Sequence, residues 1–191
     1  MVSINVKKKL ETALRRALKL ALIEMDCVED GFSEESLRYL VMSEISKKKI
    51  WGTFPNKPGG KTKLLFEQEY NILKFKKKTF KPDIVSKKGE EHLLAIELKI
   101  KSDVSDIDKC KEYINDNKGF VSFELAASVY ATPQPYTQVA HLLENRIKYA
   151  KKIRKNIKNA RLLVAYIEWE PKYYGIKNDS KKNRIRLEWI Y

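Results

Sequence analysis

Three charged residues fall at spacings that suit metal-ion chemistry. Asp83 follows Pro82 at the start of one predicted strand, and Glu97 and Lys99 lie two residues apart in the next. Because successive side chains of a strand point to opposite faces, Glu97 and Lys99 share one face of the sheet. The opposite face carries a run of apolar side chains, namely Leu94, Ile96, Leu98 and Ile100. We therefore expect the apolar face to join the core and the charged face to line a polar site.

The turn between these two strands decides whether Asp83 reaches the charged face. If residues 88–90 form a three-residue loop, Asp83 pairs with Ala95. Asp83 then lies one diagonal step from Glu97, at roughly 7–8 Å between Cα atoms, and two carboxylates can close on one cation across that gap. A two-residue loop would reverse the parity and place Asp83 on the opposite face. The predicted site therefore depends on an odd-length turn.

Pro82-Asp83 followed by Glu97-Leu98-Lys99 resembles the PD-(D/E)xK motif of the restriction-endonuclease-like nuclease superfamily. The resemblance covers residues 33–131 and implies an α/β fold with an α-β-β-β-α-β core and a mixed sheet. It implies that Asp83 and Glu97 bind Mg²⁺, or Mn²⁺, with the backbone carbonyl of Leu98 as a further ligand. Lys99 would orient the attacking water or stabilise the transition state.

The resemblance implies a DNA endonuclease of restriction or mobile-element type. The alternative is the same fold with a silent site, acting as a module that binds DNA or a protein. Glu44, on a predicted helix, matches the acid that many members place beside the metal. Lys109 and Tyr113 stand where some members carry a Gln-x-x-x-Tyr motif, and the lysine keeps a phosphate-binding donor. Glu67 and Glu69 are weaker candidates for a second metal ion, because exposed strand carboxylates are usually solvated.

Hydrophobic periodicity and turn residues predict one domain over residues 1–191, with a helical extension (1–30), a core (33–131) and a basic C-terminal part (134–191). Leu10, Leu14, Leu18 and Leu22 predict a first helix over 6–25, and Ser33 is a good N-cap for a second. The remaining predicted elements are a loop at 52–62, strands near 65–73, 80–86 and 92–100, a helix at 105–115, a strand at 119–131, a helix at 137–158, a strand at 161–169 and a hairpin at 173–191.

The chain is strongly basic, with 39 Lys and Arg against 25 Asp and Glu. A net charge of +14 predicts a polyanionic partner, DNA first and an acidic membrane surface second. The long helix after Thr137 concentrates cations beside the single acid Glu144. We expect these cations to lack i,i+4 acid partners and to contact nucleic acid. These cations are Arg146, Lys148, Lys151, Lys152, Arg154, Lys155 and Lys158.

Other sequence features concern location and assembly. The basic first helix could lie on a membrane, but such stripes more often pack on the protein, so we expect no membrane partner. Cys27 and Cys110 are far apart and are expected to be free thiols in a reducing cytoplasm. The last predicted hairpin carries Trp189 and Tyr191, a candidate contact for a homodimer. The chain has no Walker loop, which argues against a nucleotide-driven motor.

Overall fold

Four helices and eight strands make up the described part of the chain in the computed structural model. The helices are α1 (Ile4–Cys27), α2 (Glu34–Lys48), α3 (Ser105–Ile114) and α4 (Tyr136–Arg154). The strands are β1 (Thr62–Phe66), β2 (Leu73–Phe75), β3 (Lys78–Phe80), β4 (Ile84–Lys88), β5 (Glu91–Lys99), β6 (Leu125–Tyr130), β7 (Leu162–Glu168) and β8 (Arg184–Ile190). The structure describes residues 4–27, 32–48, 62–66, 73–75, 78–80, 82–88, 91–100, 104–114, 123–132, 136–154, 161–168 and 184–190.

Six of these strands form one mixed sheet in the order β1-β4-β5-β6-β7-β8, and β2 pairs with β3 in a separate ribbon. The pairs β1–β4, β4–β5 and β7–β8 are antiparallel, whereas β5–β6 and β6–β7 are parallel. The predicted α/β fold with a mixed sheet is therefore confirmed. The last strand, β8, pairs with β7; the predicted turn around residues 178–180 lies outside the described residues.

Helices cover both faces of this sheet. On one face, α1 and α2 pack against Leu94, Ile96 and Leu98 of β5. On the other face, α3 and α4 cover Val85 and Ala95 together with residues of β6 and β7. A sheet that is buried on both sides needs strands that are apolar throughout, and every residue of β6 is buried. The face that carries Glu97 is consequently a second core and not an open polar surface.

The first helix packs on the protein, as predicted. Leu10, Leu14 and Leu18 are fully buried in the core shared by α1, α2 and the sheet. Burial of each such side chain stabilises the fold by about 1.5–3 kcal/mol. Trp189 of β8 also belongs to this contact, because its indole N–H donates to Glu11 Oε1 at 2.5 Å. Among the described residues, no helix is long and apolar enough to cross a membrane.

The turn between β4 and β5 is shorter than the sequence analysis predicts. Lys88 pairs with Glu91, so only two residues separate the strands and the predicted three-residue loop is wrong. The register then shifts between Ser86 and Lys87, where one extra residue of β5 forms a bulge. The two-residue turn alone would put Asp83 and Glu97 on opposite faces of the sheet, and the extra residue puts them on the same face. The bulge therefore puts Asp83 on the same sheet face as Glu97, as the predicted three-residue loop would have done.

Beyond the bulge, Ile84 pairs with Ile96 and Val85 pairs with Ala95. Extending this register by one residue sets Asp83 opposite Glu97, where the sequence analysis expects Asp83 opposite Ala95. Asp83 itself precedes β4, so the predicted strand over 80–86 is split between β3 and β4. The two acids are nevertheless brought to the same end of the hairpin.

Arg146 of α4 faces the sheet and is 1% exposed, so the prediction that it contacts nucleic acid is wrong. Its guanidinium donates hydrogen bonds to Asp106 and to Ser128 and lies 4.6 Å from the ring centre of Tyr130. The physical reason is its place in the helix: Arg146 lies three residues after Leu143 and four before Ala150, both of which are buried. This ion pair joins α4 to α3 and β6.

Replacing Arg146 with alanine should lower the free energy of unfolding by about 3–5 kcal/mol, because the buried Asp106 carboxylate then loses its counter-ion. Urea denaturation followed by circular dichroism measures the change. Lys152 lies on the same helix and is exposed, so Lys152→Ala should change the value by less than about 0.5 kcal/mol. Equal, small effects of both substitutions would show that Arg146 is not part of the core.

Candidate metal centre

Asp83 is held in place from two sides. Its Oδ2 accepts a hydrogen bond from the Leu98 backbone N–H at 2.7 Å, and its Oδ1 accepts one from Arg38 Nη2 at 3.1 Å. The first bond ties the start of β4 to β5, and the second ties it to α2. Asp83 is 7% exposed, so both bonds are needed to compensate for the loss of water. The structure thus gives Leu98 a contact through its N–H, while the predicted role of its carbonyl remains a prediction.

Glu97 is more deeply buried than Asp83, at 1% exposed. Its Oε2 accepts a hydrogen bond from Lys109 Nζ at 2.8 Å, and its Oε1 accepts one from the Tyr113 hydroxyl at 2.5 Å. Burial raises the pKa of Glu97 to about 8, and the negative charge of Asp83 contributes to the rise. Lys109 and Tyr113 act in the opposite direction. The carboxyl of Glu97 is therefore close enough to Asp83 to be destabilised as an anion.

Lys109 and Tyr113 reach Glu97 because they lie four residues apart on α3, and such residues share a helix face. The sequence analysis singled out this pair, but expected Lys109 to bind phosphate. In the structure its ammonium pairs with Glu97. Burial alone would lower the pKa of Lys109, but the charge and hydrogen bond of Glu97 raise it by more. The Glu97 carboxylate therefore holds the pKa of Lys109 above its ordinary value.

Lys99 lies on the same sheet face as Glu97, two residues further along β5. Within the described part of the chain, its ammonium makes no hydrogen bond or ion pair. Its positive charge does lower the pKa of Glu34, which indicates that the two side chains are near each other. The side chain of Lys99 is half-buried.

Glu34, in the first turn of α2, is a site residue that the sequence analysis did not identify. Its pKa is raised by burial and then by the charge of Asp83, and it is lowered by Lys99 and Arg38. These effects show that Glu34 is close enough to Asp83 for the charges of the two carboxyl groups to interact. The sequence does contain a signal, because Glu34 and Arg38 are spaced as an i, i+4 pair with the acid first.

Glu44 was predicted to be the helix acid of the site. It is 4% exposed on the apolar side of α2, and its Oε1 accepts a hydrogen bond from Lys47 Nζ at 2.7 Å. Ten residues of helix separate it from Glu34, which corresponds to about 15 Å along the helix axis. The described contacts do not join Glu44 to Asp83 or Glu97. The structure thus brings Glu34, and not Glu44, into the electrostatic environment of Asp83.

The basic face of α4 is partly neutralised. Lys148 Nζ lies 3.9 Å from Glu144, and Lys151 Nζ lies 2.5 Å from Glu188 of β8. The expectation that these cations lack i,i+4 acid partners is therefore wrong for Lys148, and Lys151 is paired with an acid of another element. Lys152 is exposed. The side chain of Arg154, like Lys155, Lys158, Glu67, Glu69 and Tyr191, lies outside the described residues.

The chemistry of the acids around Asp83 fits a hard divalent cation. Glu97 and Glu34 both have a raised pKa, to which the charge of Asp83 contributes. A cation bound beside Asp83 would relieve this repulsion. Among the described residues, no group of three or more His, Cys, Asp and Glu side chains has the arrangement of a metal site. Mg²⁺ is commonly held by only one or two carboxylates together with water and substrate oxygens.

No family model, curated protein or solved structure matches the chain significantly.

The raised pKa of Glu97 predicts a pH dependence of stability. The pKa of Glu97 is about 8 in the folded protein, whereas the ordinary pKa of a glutamate, which applies to the unfolded chain, is 4.5. Between these two pH values the folded state therefore binds more protons than the unfolded state. The contribution of Glu97 to the free energy of unfolding is lost as the pH rises towards 8. Glu97→Gln removes the titration. In the presence of a chelator, the stability of this variant relative to wild type should rise between about pH 5 and about pH 8, as measured by urea denaturation. A difference in the free energy of unfolding between the two proteins that stays constant over this pH range would contradict the raised pKa of Glu97.

Proposed function

We propose that the chain is a Mg²⁺-dependent nuclease that hydrolyses phosphodiester bonds in DNA. The observation that carries the proposal is the meeting of Asp83 and Glu97 at one end of the β4–β5 hairpin, with Lys99 on the face of Glu97. The element order α2, β1, β4, β5, α3, β6 is also compatible with the α-β-β-β-α-β core that the sequence resemblance implies.

Asp83 and Glu97 would hold the cation, with Glu34 close enough to add to the negative potential. The chemistry that Mg²⁺ would supply when held there is polarisation of the scissile phosphate and a lower pKa for a bound water. Lys109 and Tyr113 fix the Glu97 carboxylate through two hydrogen bonds, which pre-organises it. Lys99 brings a positive charge that can stabilise the negative charge developing on the phosphate during attack.

DNA is the proposed substrate because of the charge of the protein. The net charge of +14 supports attraction to a polyanion, and such attraction does not depend on base sequence. Lys148 and Lys152 of α4 are exposed and can contact phosphates. Ion pairs between exposed side chains are weak, so the Glu144 partner of Lys148 would not prevent this.

A second candidate function is a DNA-binding module without catalysis. One observation favours it: every carboxylate oxygen of Asp83 and Glu97 already accepts a hydrogen bond from a protein donor. A network of this kind balances much of its charge without a metal ion. The two candidates differ in whether a divalent cation can enter between these side chains.

Supercoiled plasmid and linear duplex DNA, each incubated with the protein in Mg²⁺ or Mn²⁺, test the proposal. Wild type should cut, and Asp83→Asn and Lys99→Ala should each lose about a hundredfold or more in rate, because each removes charge that acts on the transition state. Lys111→Ala is the matched control, since it removes a cation from α3 without touching Glu97. Cleavage that survives both Asp83→Asn and Lys99→Ala would rule out the proposed site.

The same assay decides between the two helix acids. Glu34→Gln should slow cleavage, because it removes negative charge close to Asp83. Glu44→Gln should have a smaller effect on the rate. The opposite order would show that Glu44 serves the site as the sequence analysis predicted. Binding of DNA without cleavage in either metal would favour the second candidate function.

A further inference from the structure

The two oxygens of Asp83 have different kinds of partner. Oδ2 binds the Leu98 backbone N–H, which belongs to the sheet and cannot leave without breaking the strand. Oδ1 accepts from a side chain, the guanidinium of Arg38, and this side chain is 23% exposed. A side chain at the edge of solvent can rotate away, whereas a backbone amide in β5 cannot. Oδ1 is therefore the oxygen from which a protein partner can be displaced.

We propose that Arg38 is the resident counter-ion of Asp83 and becomes a phosphate-binding residue when a divalent cation occupies the site. This inference rests on the proposed function, since it concerns the same site. It assigns Arg38 a substrate-positioning role that neither the motif nor the cation-rich helix α4 indicates.

Electrostatics supports the exchange. A divalent cation and a guanidinium on one carboxylate oxygen repel each other, and the repulsion is strong in a partly buried site. The cation carries the larger charge, so the guanidinium is the group that moves. Arg38 also feels the charge of Glu34, whose pKa it lowers. The charge of Glu34 thus gives the guanidinium a second attraction near the site.

The chemistry of the displaced group matches the substrate. A guanidinium presents a planar fork of N–H donors that binds two oxygens of a phosphate at once. Lys99 and Lys109 lie near the same acids, but Lys109 is bound to Glu97 through the buried face of α3. Arg38 approaches from α2, on the other side of Asp83. It would therefore contact a phosphate oxygen that Lys109 does not reach.

A purely structural role for Arg38 predicts the opposite behaviour. If Arg38 served only to hold Asp83 in position, its loss would disorder the carboxylate and weaken metal binding. If Arg38 competes with the metal ion, its loss strengthens metal binding. The sign of the change in metal affinity therefore separates the two roles.

The first experiment measures Mn²⁺ binding by electron paramagnetic resonance, without DNA. Arg38→Met should bind Mn²⁺ about tenfold more tightly than wild type, because one charge-assisted hydrogen bond no longer has to be broken. Arg38→Lys retains the charge and should stay within about threefold of wild type. Lys48→Met, at the far end of α2, is the matched control and should leave the affinity unchanged. Circular dichroism verifies that each variant is folded.

The second experiment measures binding of a short fluorescent DNA duplex in chelator and in Ca²⁺, which takes oxygen ligands as Mg²⁺ does. In chelator, Arg38→Met should bind like wild type, because Arg38 is engaged with Asp83. In Ca²⁺, wild type should gain about tenfold in affinity over Arg38→Met, since the guanidinium is then free to bind phosphate. Arg38→Lys should recover only part of this gain.

The outcomes separate this inference from the proposed function. If wild type binds Mn²⁺ and Arg38→Met binds it equally or more weakly, Arg38 is a structural residue and the inference is overturned while the metal site stands. If the DNA affinities differ by the same factor in chelator and in Ca²⁺, the exchange of partners is likewise overturned. If wild type binds no Mn²⁺ at all, both the inference and the proposed function fail.

Discussion

The register of β4 against β5 is the constraint on which the candidate site depends. A two-residue turn and a one-residue bulge together set Asp83 opposite Glu97, and the Leu98 N–H then fixes the Asp83 carboxylate at 2.7 Å. A shift of one residue in this pairing would carry Asp83 to the other face of the sheet. A bulge, a buried hydrogen bond and an ion pair with α2 therefore together hold the two acids side by side.

Two acids at this position raise the free energy of the folded state unless cations balance them. The protein supplies these cations from both layers of helices: Arg38 of α2 pairs with Asp83, and Lys109 of α3 pairs with Glu97. The Arg146–Asp106 pair fastens α3 to α4 and so supports the helix that carries Lys109 and Tyr113. Burial of Glu97 and the charge of Asp83 still leave the pKa of Glu97 at about 8. The remaining electrostatic strain is what a divalent cation would relieve.

Most helices and strands could be predicted from strong hydrophobic periodicity. The pairing between residues that are distant in the sequence could not. The leucine stripe of α1 and the alternation in β5 correctly predicted the helix, the strand and their apolar faces, but the face of β5 that carries Glu97 is a second core. The predicted turn was one residue too long, because a three-residue turn was the way to bring Asp83 to the face of Glu97 without a bulge. A bulge has no marker in the sequence. Arg146 was assigned to the surface by its charge, although its spacing from buried neighbours on α4 places it inside. Glu34 was overlooked because its proximity to Asp83 arises from how α2 meets the sheet.

A crystal of the protein soaked in Mn²⁺, with anomalous diffraction recorded at the manganese edge, tests the central claim most directly. The account predicts an anomalous peak at the carboxylates of Asp83 and Glu97. It also predicts that the Arg38 guanidinium has moved away from Asp83. A structure with no peak at these carboxylates, and with Arg38 and Lys109 still bound to Asp83 and Glu97, would contradict it.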